Sequence, residues 1–202
     1  MSFWNDAVVD RSYKILQKLK ERYDFVLIGG WAVWLYTRSA KSRDIDIIVD
    51  FEGLEKLRGE MPLRKNERLR KYEVTVEGIS IDVYVPYYSL LIVPPEEIMR
   101  RTRVIEGFKV PEPEVLLALK QQAELERSPS IKGLKDRIDI LALLSFVDLE
   151  KYISIVGREY LKRLRSIVVS ADEEFRYLGY RNPREVKKLR RELLERIERV
   201  MK

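Results

Sequence analysis

The sequence predicts an α+β fold, in which a small mixed sheet with flanking helices is followed by a helical C-terminal half. Apolar runs with the alternation of strands occur before residue 110, whereas only helical patterns follow Pro111 and Pro113. The composition, 46% hydrophobic and 36% charged over 202 residues, allows one substantial core with a smaller helical partner. We therefore expect an α+β domain over residues 1–110 and a helical domain over residues 111–202.

Helix and strand patterns alternate in the first half. In order, they predict a helix over residues 5–22, a strand over 25–28, a helix over 31–36, a strand over 44–49 and a helix over 54–61. The runs KYEVTVEG and ISIDVYVP then predict a β-hairpin that turns at Glu77-Gly78, and a smaller hairpin is expected around Glu106-Gly107. The second half predicts helices only, with an inter-helix loop at Ser128-Pro129-Ser130.

The C-terminal segment carries most of the net charge. Of the formal charge of +6, residues 181–202 contribute +5, from nine basic and four acidic residues. Val186, Leu189, Leu193, Ile197 and Val200 recur there at helical spacing, so the segment predicts an amphipathic helix with a basic outer face. Two interpretations stay open and are compatible: a terminal helix packed on its own domain, and a surface for nucleic acid.

The composition excludes several kinds of chemistry. The chain has no Cys and no His, which rules out disulfides, thiolate nucleophiles, zinc–thiolate sites and a histidine base or ligand. Catalysis must then use carboxylates, hydroxyls, Lys, Arg or a metal. There is no apolar run of about twenty residues and no signal peptide, so we expect a cytoplasmic protein without a membrane segment. Abundant Glu, Lys and Arg favour a thermophilic source.

Three carboxylates are candidates for a metal site. Side chains alternate along a strand, so Asp44 and Asp46 share one face while Ile45 and Ile47 share the other. In ISIDVYVP, Asp82 lies opposite the apolar face. If the two strands pair, three carboxylates converge, and an oxygen-only donor set suits Mg²⁺ or Mn²⁺. The alternative for Asp44 and Asp46 is an exposed strand edge.

The glycine pair complements these acids. Gly29-Gly30 at the start of a helix would let backbone N–H groups approach phosphate oxygens, where the helix N-terminus also favours negative charge. Each signal is weak alone, because a glycine pair usually marks only a tight turn. Their combination favours a site for a metal ion and a phosphate-bearing substrate.

These motifs resemble the nucleotidyltransferase fold of the DNA polymerase β superfamily. Gly29-Gly30, the run Ser42-Arg43-Asp44-Ile45-Asp46 and the later Asp82 carry the resemblance. Within the superfamily the chain is similar to the minimal nucleotidyltransferases and to the AbiEii-like toxin branch. The residues that match that branch in the helical half are Lys120, Ala123, Arg127, Lys135, Asp136 and Asp139. Gly30 stands where the superfamily more often has Ser, and Ala40 stands where the branch often has Arg.

The resemblance implies a nucleotidyltransferase that uses Mg²⁺ or Mn²⁺ with ATP or another nucleoside triphosphate as substrate. Asp44, Asp46 and Asp82 would be the catalytic and metal-binding residues. The residues expected to bind the nucleotide are Gly29, Gly30, Ser42, Arg43, Lys120 and Asp136. Lys120 and Asp136 could equally form a structural ion pair between neighbouring helices.

The acceptor and the partners are left as alternatives. An acceptor hydroxyl could belong to tRNA or another RNA, to a protein or to a small molecule such as an aminoglycoside, and the basic tail favours RNA. The branch also implies a partner protein of toxin–antitoxin type. The competing hypotheses are a catalytically silent nucleotidyltransferase fold that acts as a binding or antitoxin-like partner, and a nucleic-acid-binding protein whose acids are incidental.

Overall fold

The computed structural model describes residues 3–202. The chain divides into two compact units, one that ends at Glu112 and one that runs from Pro113 to Lys202. Every strand of the described chain belongs to the first unit, and the second is helical. The predicted α+β fold is therefore confirmed, with a mixed sheet and flanking helices in the first half and helices in the second.

Over its described residues, 3–112, the first unit contains four helices and seven strands. Its helices are α1 (Asp6–Arg22), α2 (Gly29–Thr37), α3 (Phe51–Glu60) and α4 (Pro95–Ile98). Its strands are β1 (Val26–Ile28), β2 (Ile45–Ile48), β3 (Arg64–Asn66), β4 (Lys71–Val76), β5 (Ile79–Tyr84), β6 (Thr102–Ile105) and β7 (Phe108–Pro111). Both predicted hairpins are present as β4–β5 and β6–β7. Strand β3 was not predicted, because Arg64-Lys65-Asn66 has no apolar alternation.

The strands form one mixed sheet in the order β3-β4-β5-β2-β1-β7-β6. Strand β2 lies at its centre, antiparallel to β1 and parallel to β5. Ile45 and Ile47 are fully buried on one face of β2, so Asp46 between them must point to the other face. The Asp46 carboxylate therefore lies on the face of the sheet opposite to Ile45 and Ile47, outside their apolar core.

Helices α1 and α2 contribute much of the packing around this sheet. Leu16 and Leu19 of α1 and Trp31 of α2 are buried, and the Trp31 indole donates a hydrogen bond of 2.9 Å to Ser12 Oγ. Asn5 caps α1 by accepting a hydrogen bond from the N–H of Ala7. The start of α2 is thereby held against the sheet at the point where β1 ends.

The second unit contains six helices. They are α5 (Pro113–Arg127), α6 (Ile131–Leu143), α7 (Leu149–Val156), α8 (Tyr160–Ser170), α9 (Glu173–Tyr177) and α10 (Pro183–Met201). Ser130, Asp148 and Asn182 cap α6, α7 and α10 with side-chain oxygens, so polar loop residues set these helix starts. Within residues 3–202, no helix has the length and apolar character needed to cross a membrane.

Candidate active site

Three carboxylates form a row across neighbouring strands. Asp46 of β2 is the direct partner of Asp82 on β5, and Asp82 is in turn the partner of Glu73 on β4. Directly opposed side chains in a sheet lie about 5 Å apart at Cβ, so the three acids are neighbours on one face. We call Glu73, Asp82 and Asp46 the acid row. The expected pairing of the Asp46 and Asp82 strands is present, and Glu73 is an addition that the sequence motifs did not suggest.

Asp44 stands beside this row, but not on the strand itself. The sequence predicted that the strand begins at Asp44, whereas β2 begins at Ile45. The Ser42 hydroxyl donates a hydrogen bond of 3.0 Å to the Asp44 carbonyl, which draws this segment into a turn instead of the ladder. Arg43 Nε lies 3.4 Å from Asp44 Oδ1, so Ser42 and Arg43 both contact the first acid.

Lys71 is the cation of the acid row. Its Nζ lies 2.6 Å from Asp82 Oδ2 and 3.1 Å from Glu73 Oε1, and its side chain is only 12% exposed. Burial acts to lower the pKa of Lys71, but the hydrogen bonds and negative charges of Asp82 and Glu73 outweigh it and raise that pKa. Lys71 therefore stays protonated at neutral pH.

Asp82 is held in a carboxylate-rich environment. Burial raises the pKa of Asp82, the charges of Glu73 and Asp44 act in the same direction, and Lys71 opposes them. The contribution from Asp44 shows that the two aspartates are close enough to repel one another. A carboxylate with a raised pKa is a better proton acceptor than an ordinary surface aspartate.

The glycine pair meets the acid row at Asp46. Gly29 has a φ of +67°, and a Cβ atom on it would stand 2.8 Å from Asp46 Cγ, so only glycine fits there. Gly29 and Gly30 open α2, whose N-terminal N–H groups carry a partial positive charge. The carboxylate of Asp46 is thus packed against the start of a helix, and the expected role of these N–H groups toward phosphate stays a prediction.

The donors suit a hard divalent cation, although they form no preassembled cluster. Among residues 3–202, no group of three or more acidic side chains has the spacing that would hold a metal ion. Carboxylate oxygens are nevertheless the ligands that Mg²⁺ and Mn²⁺ prefer, and Asp46 and Asp82 are adjacent. One oxygen of Asp82, Oδ2, already pairs with Lys71 Nζ at 2.6 Å.

Lys120 and Asp136, the two expected nucleotide ligands in the helical half, belong to a buried charge cluster. Lys120 Nζ lies 3.2 Å from Asp136 Oδ1 and 2.8 Å from Asp139 Oδ2. Arg127 pairs with Asp136 at 2.8 Å and Lys135 with Asp139 at 2.5 Å. The ion pair that we weighed as the alternative is present, and a role for these residues toward a triphosphate stays a prediction.

The basic C-terminal helix is present as α10. Leu193 and Ile197 are buried, as the amphipathic pattern predicted. Two of its arginines serve the fold: Arg190 donates to the carbonyls of Val168 and Ala171, and Arg196 donates to those of Leu144 and Val147. The basic residues of this segment that are exposed are Arg181, Arg184, Lys187, Lys188, Arg191, Arg199 and Lys202.

Comparison with known proteins gives similarity in structure only. No family model matches the sequence, and no curated protein matches it. The aminoglycoside nucleotidyltransferase ANT(2")-Ia, solved with adenylyl-2"-tobramycin, aligns at 18% identity over 77% of this chain and 98% of its own, with a TM-score of 0.50. A candidate nucleotidyltransferase from H. pylori aligns at 16% identity over 96% of this chain and 92% of its own, with a TM-score of 0.50. The chain therefore shares its fold with proteins named as nucleotidyltransferases.

Proposed function

We propose that this protein is a Mg²⁺-dependent nucleotidyltransferase. It transfers a nucleoside monophosphate from ATP or another nucleoside triphosphate to an acceptor hydroxyl and releases pyrophosphate. The observation that carries the proposal is the in-register pair Asp46 and Asp82, which lies next to Gly29 at the start of α2. Shared fold with named nucleotidyltransferases supports the same class of reaction.

In this proposal the acids bind metal and accept a proton. Asp44, Asp46 and Asp82 would hold the divalent ion, which would neutralise charge on the triphosphate and polarise the α-phosphate. The acceptor oxygen forms a bond to the α-phosphorus, and the bond from that phosphorus to the bridging oxygen of pyrophosphate breaks. Asp82 accepts the hydroxyl proton.

The remaining assigned residues position the triphosphate. Backbone N–H groups of Gly29 and Gly30 donate to phosphate oxygens, because glycine lets the substrate come close and the helix dipole favours anions. Ser42 and Arg43 add a hydroxyl and a guanidinium beside Asp44. Lys120 supplies a point charge, and Asp136 orients it through their ion pair.

RNA is the acceptor that the charge distribution favours. The exposed face of α10 carries five basic residues, and Arg181 and Lys202 flank the helix. Lys and Arg on such a face supply salt-sensitive affinity for phosphates. A small-molecule acceptor is the second candidate, since the ANT(2")-Ia structure contains adenylyl-2"-tobramycin. A protein acceptor, within a toxin–antitoxin pair of the AbiEii kind, is the third.

The alternative function is a catalytically silent nucleotidyltransferase fold that binds nucleotide or RNA as an antitoxin-like partner. It predicts metal-dependent nucleotide binding without turnover. The presence of Asp44, Asp46 and Asp82 close together favours the enzyme, because closely spaced carboxylates repel one another.

A labelling experiment tests the proposal. The protein is incubated with each α-phosphate-labelled ribonucleoside triphosphate and Mg²⁺ or Mn²⁺, together with total tRNA, cell protein, an aminoglycoside or no acceptor. We expect label on one acceptor class from the parent and none from Asp46→Asn, which keeps the shape beside Gly29 but removes the charge. Asp10→Asn, an exposed aspartate of α1, is the matched control and should retain transfer. Transfer that survives in Asp46→Asn, or no transfer with any acceptor, would contradict the proposal.

A further inference from the structure

Lys71 is the positively charged partner of two carboxylates of the acid row. Its Nζ contacts Asp82 Oδ2 at 2.6 Å and Glu73 Oε1 at 3.1 Å. We propose that Lys71 is a built-in counter-cation of Asp82, with which a divalent metal ion must compete for that carboxylate. The inference rests on the proposed function, because it concerns the same metal-binding acids, and it assigns a regulatory role to a residue outside the resemblance.

Burial makes the Lys71 contact persistent. The side chains of Lys71 and Asp82 are 12% and 20% exposed, so water can replace only part of what each gains from the other. Glu73 is held as well, because Asn66 Nδ2 donates over 2.9 Å to Glu73 Oε1, the same oxygen that Lys71 contacts. Lys71 is thus held between two carboxylates and not loosely solvated like a surface lysine.

The charges around Asp82 explain why a divalent ion and Lys71 would compete for it. The acid row and Asp44 bring four carboxylates together, and Lys71 at Asp82 and Glu73 and Arg43 at Asp44 supply positive charge beside them. A divalent ion shared by Asp46 and Asp82 would lie beside Lys71 Nζ, and like charges at such distances in a partly buried site repel strongly. We therefore expect Lys71 to leave Asp82 Oδ2 when the ion binds.

Glu73 offers the place to which Lys71 can move. It already accepts the ammonium group at 3.1 Å, so Lys71 can leave Asp82 and stay paired. The exchange then needs a side-chain rotation and no unpaired buried charge. Glu73 is in this account a positioning residue, which acts on the metal site through Lys71.

Metal binding to the full-length protein without nucleotide tests this exchange. Calorimetric titration with Mn²⁺ should show an affinity about tenfold higher for Lys71→Met than for the parent, because the competing charge is gone. Glu73→Gln should bind Mn²⁺ more weakly than the parent. Lys109→Met, which removes a lysine paired with Asp24 on the exposed side of the same sheet, should leave the affinity unchanged.

The outcomes separate this inference from the proposed function. If the parent binds Mn²⁺ and Asp46→Asn does not, but Lys71→Met binds no tighter than the parent, the role of Lys71 is refuted and the metal site stands. A merely structural lysine would give that result, or weaker binding. If the parent binds no Mn²⁺, or binds it equally well without Asp46, the metal site and this inference both fail.

A measurement on the parent covers the case in which Lys71→Met does not fold. The side-chain ammonium signal of Lys71 in an NMR spectrum, identified by its loss in Lys71→Arg, should shift when Mg²⁺ is added. The signal of Lys109 is the internal reference and should not shift. A Lys71 signal that is unchanged at saturating Mg²⁺ would refute the competition.

Discussion

Gly29 and Asp46 are packed so closely that a Cβ atom on Gly29 would stand 2.8 Å from Asp46 Cγ and 3.0 Å from Asp46 Cβ. The backbone that opens α2 and the central carboxylate of the sheet therefore touch directly. This contact joins the two sequence features that first suggested a phosphate and metal site. It also makes the glycine structurally irreplaceable, which can be tested without substrate.

Gly29→Ala should lower the free energy of unfolding by roughly 2–4 kcal/mol. A left-handed residue with a side chain costs about 1–2 kcal/mol, and the overlap with Asp46 adds to that cost. Chemical denaturation of the variant and the parent measures the difference.

Gly59→Ala is the control for this substitution. Gly59 lies inside α3, and a Cβ there meets nothing within 4 Å, so alanine should stabilise the protein by about 0.5–1 kcal/mol. Equal stability of Gly29→Ala and the parent would show that the close approach to Asp46 does not hold in solution.

Replacing each of the two lysines in the buried charge cluster of the helical unit should change the free energy of unfolding by different amounts. It contains three cations, Lys120, Lys135 and Arg127, against Asp136 and Asp139, so one cation is in excess. Lys120→Met should cost about 3–5 kcal/mol, because Lys120 bridges both aspartates. Lys135→Met should cost little or stabilise, since Asp139 keeps Lys120. Thermal or urea unfolding of both variants measures the two stabilities. A larger loss of stability in Lys135→Met than in Lys120→Met would refute the conclusion that the cluster has one cation in excess.

Lys135 should also give the protein a distinctive pH dependence. Burial is the largest influence on the pKa of Lys135 and lowers it below the ordinary value of 10.5, even with Asp139 and Asp136 opposing it. The unfolded chain then binds more protons in the window between the folded pKa and 10.5, so stability due to this residue rises with pH there. Lys135→Met should lack that rise, which parallel unfolding curves across the alkaline range would reveal.

Tyr23 should ionise late and stabilise the fold up to high pH. Burial, and then its hydrogen bond of 2.6 Å to Glu60, raise the pKa of Tyr23 from 10.0 to about 12. The contribution is fully present below the unfolded pKa of 10.0 and is lost as pH rises toward about 12. An absorbance difference titration of the parent against Tyr23→Phe isolates this group. A difference spectrum that titrates near pH 10.0 would refute the assignment.

RNA binding, if the acceptor is RNA, should depend on the exposed basic residues of α10. Arg184→Gln and Lys187→Gln should each weaken RNA binding. Each should also reduce the slope of the logarithm of the binding constant against the logarithm of salt concentration by about 1, the value for one phosphate contact. Lys18→Gln removes the same charge from an exposed position on α1 and is the control. Binding to tRNA measured over a range of salt concentrations gives both quantities. Equal effects of all three changes would indicate nonspecific attraction only.

Most of the fold could be predicted because its signals are local. Alternation predicted β4 and β5, helical spacing predicted α1 and α10, and Gly29-Gly30 marked the start of α2. Strand β3 was missed because its residues are polar at the edge of the sheet, where pairing with β4 and not burial defines the strand. The extent of β2 was wrong by one residue at each end, at Val49 and at Asp44. At Asp44 a side-chain hydrogen bond from Ser42 competes with the ladder.

The sequence by itself determined which chemistry is open to this protein. A chain without His or Cys leaves carboxylates, and the period of a strand decides that Asp46 and Asp82 oppose the apolar face. Only the tertiary structure decided which charges meet. Strand order and register place Asp82 between Asp46 and Glu73 and bring Lys71 to it. Packing of α5 against α6 brings Lys120 to Asp136 and Asp139. The periodicity of a segment decides which face a side chain lies on. Its partners depend on how segments distant in the chain pair, and no local sequence pattern encodes that pairing.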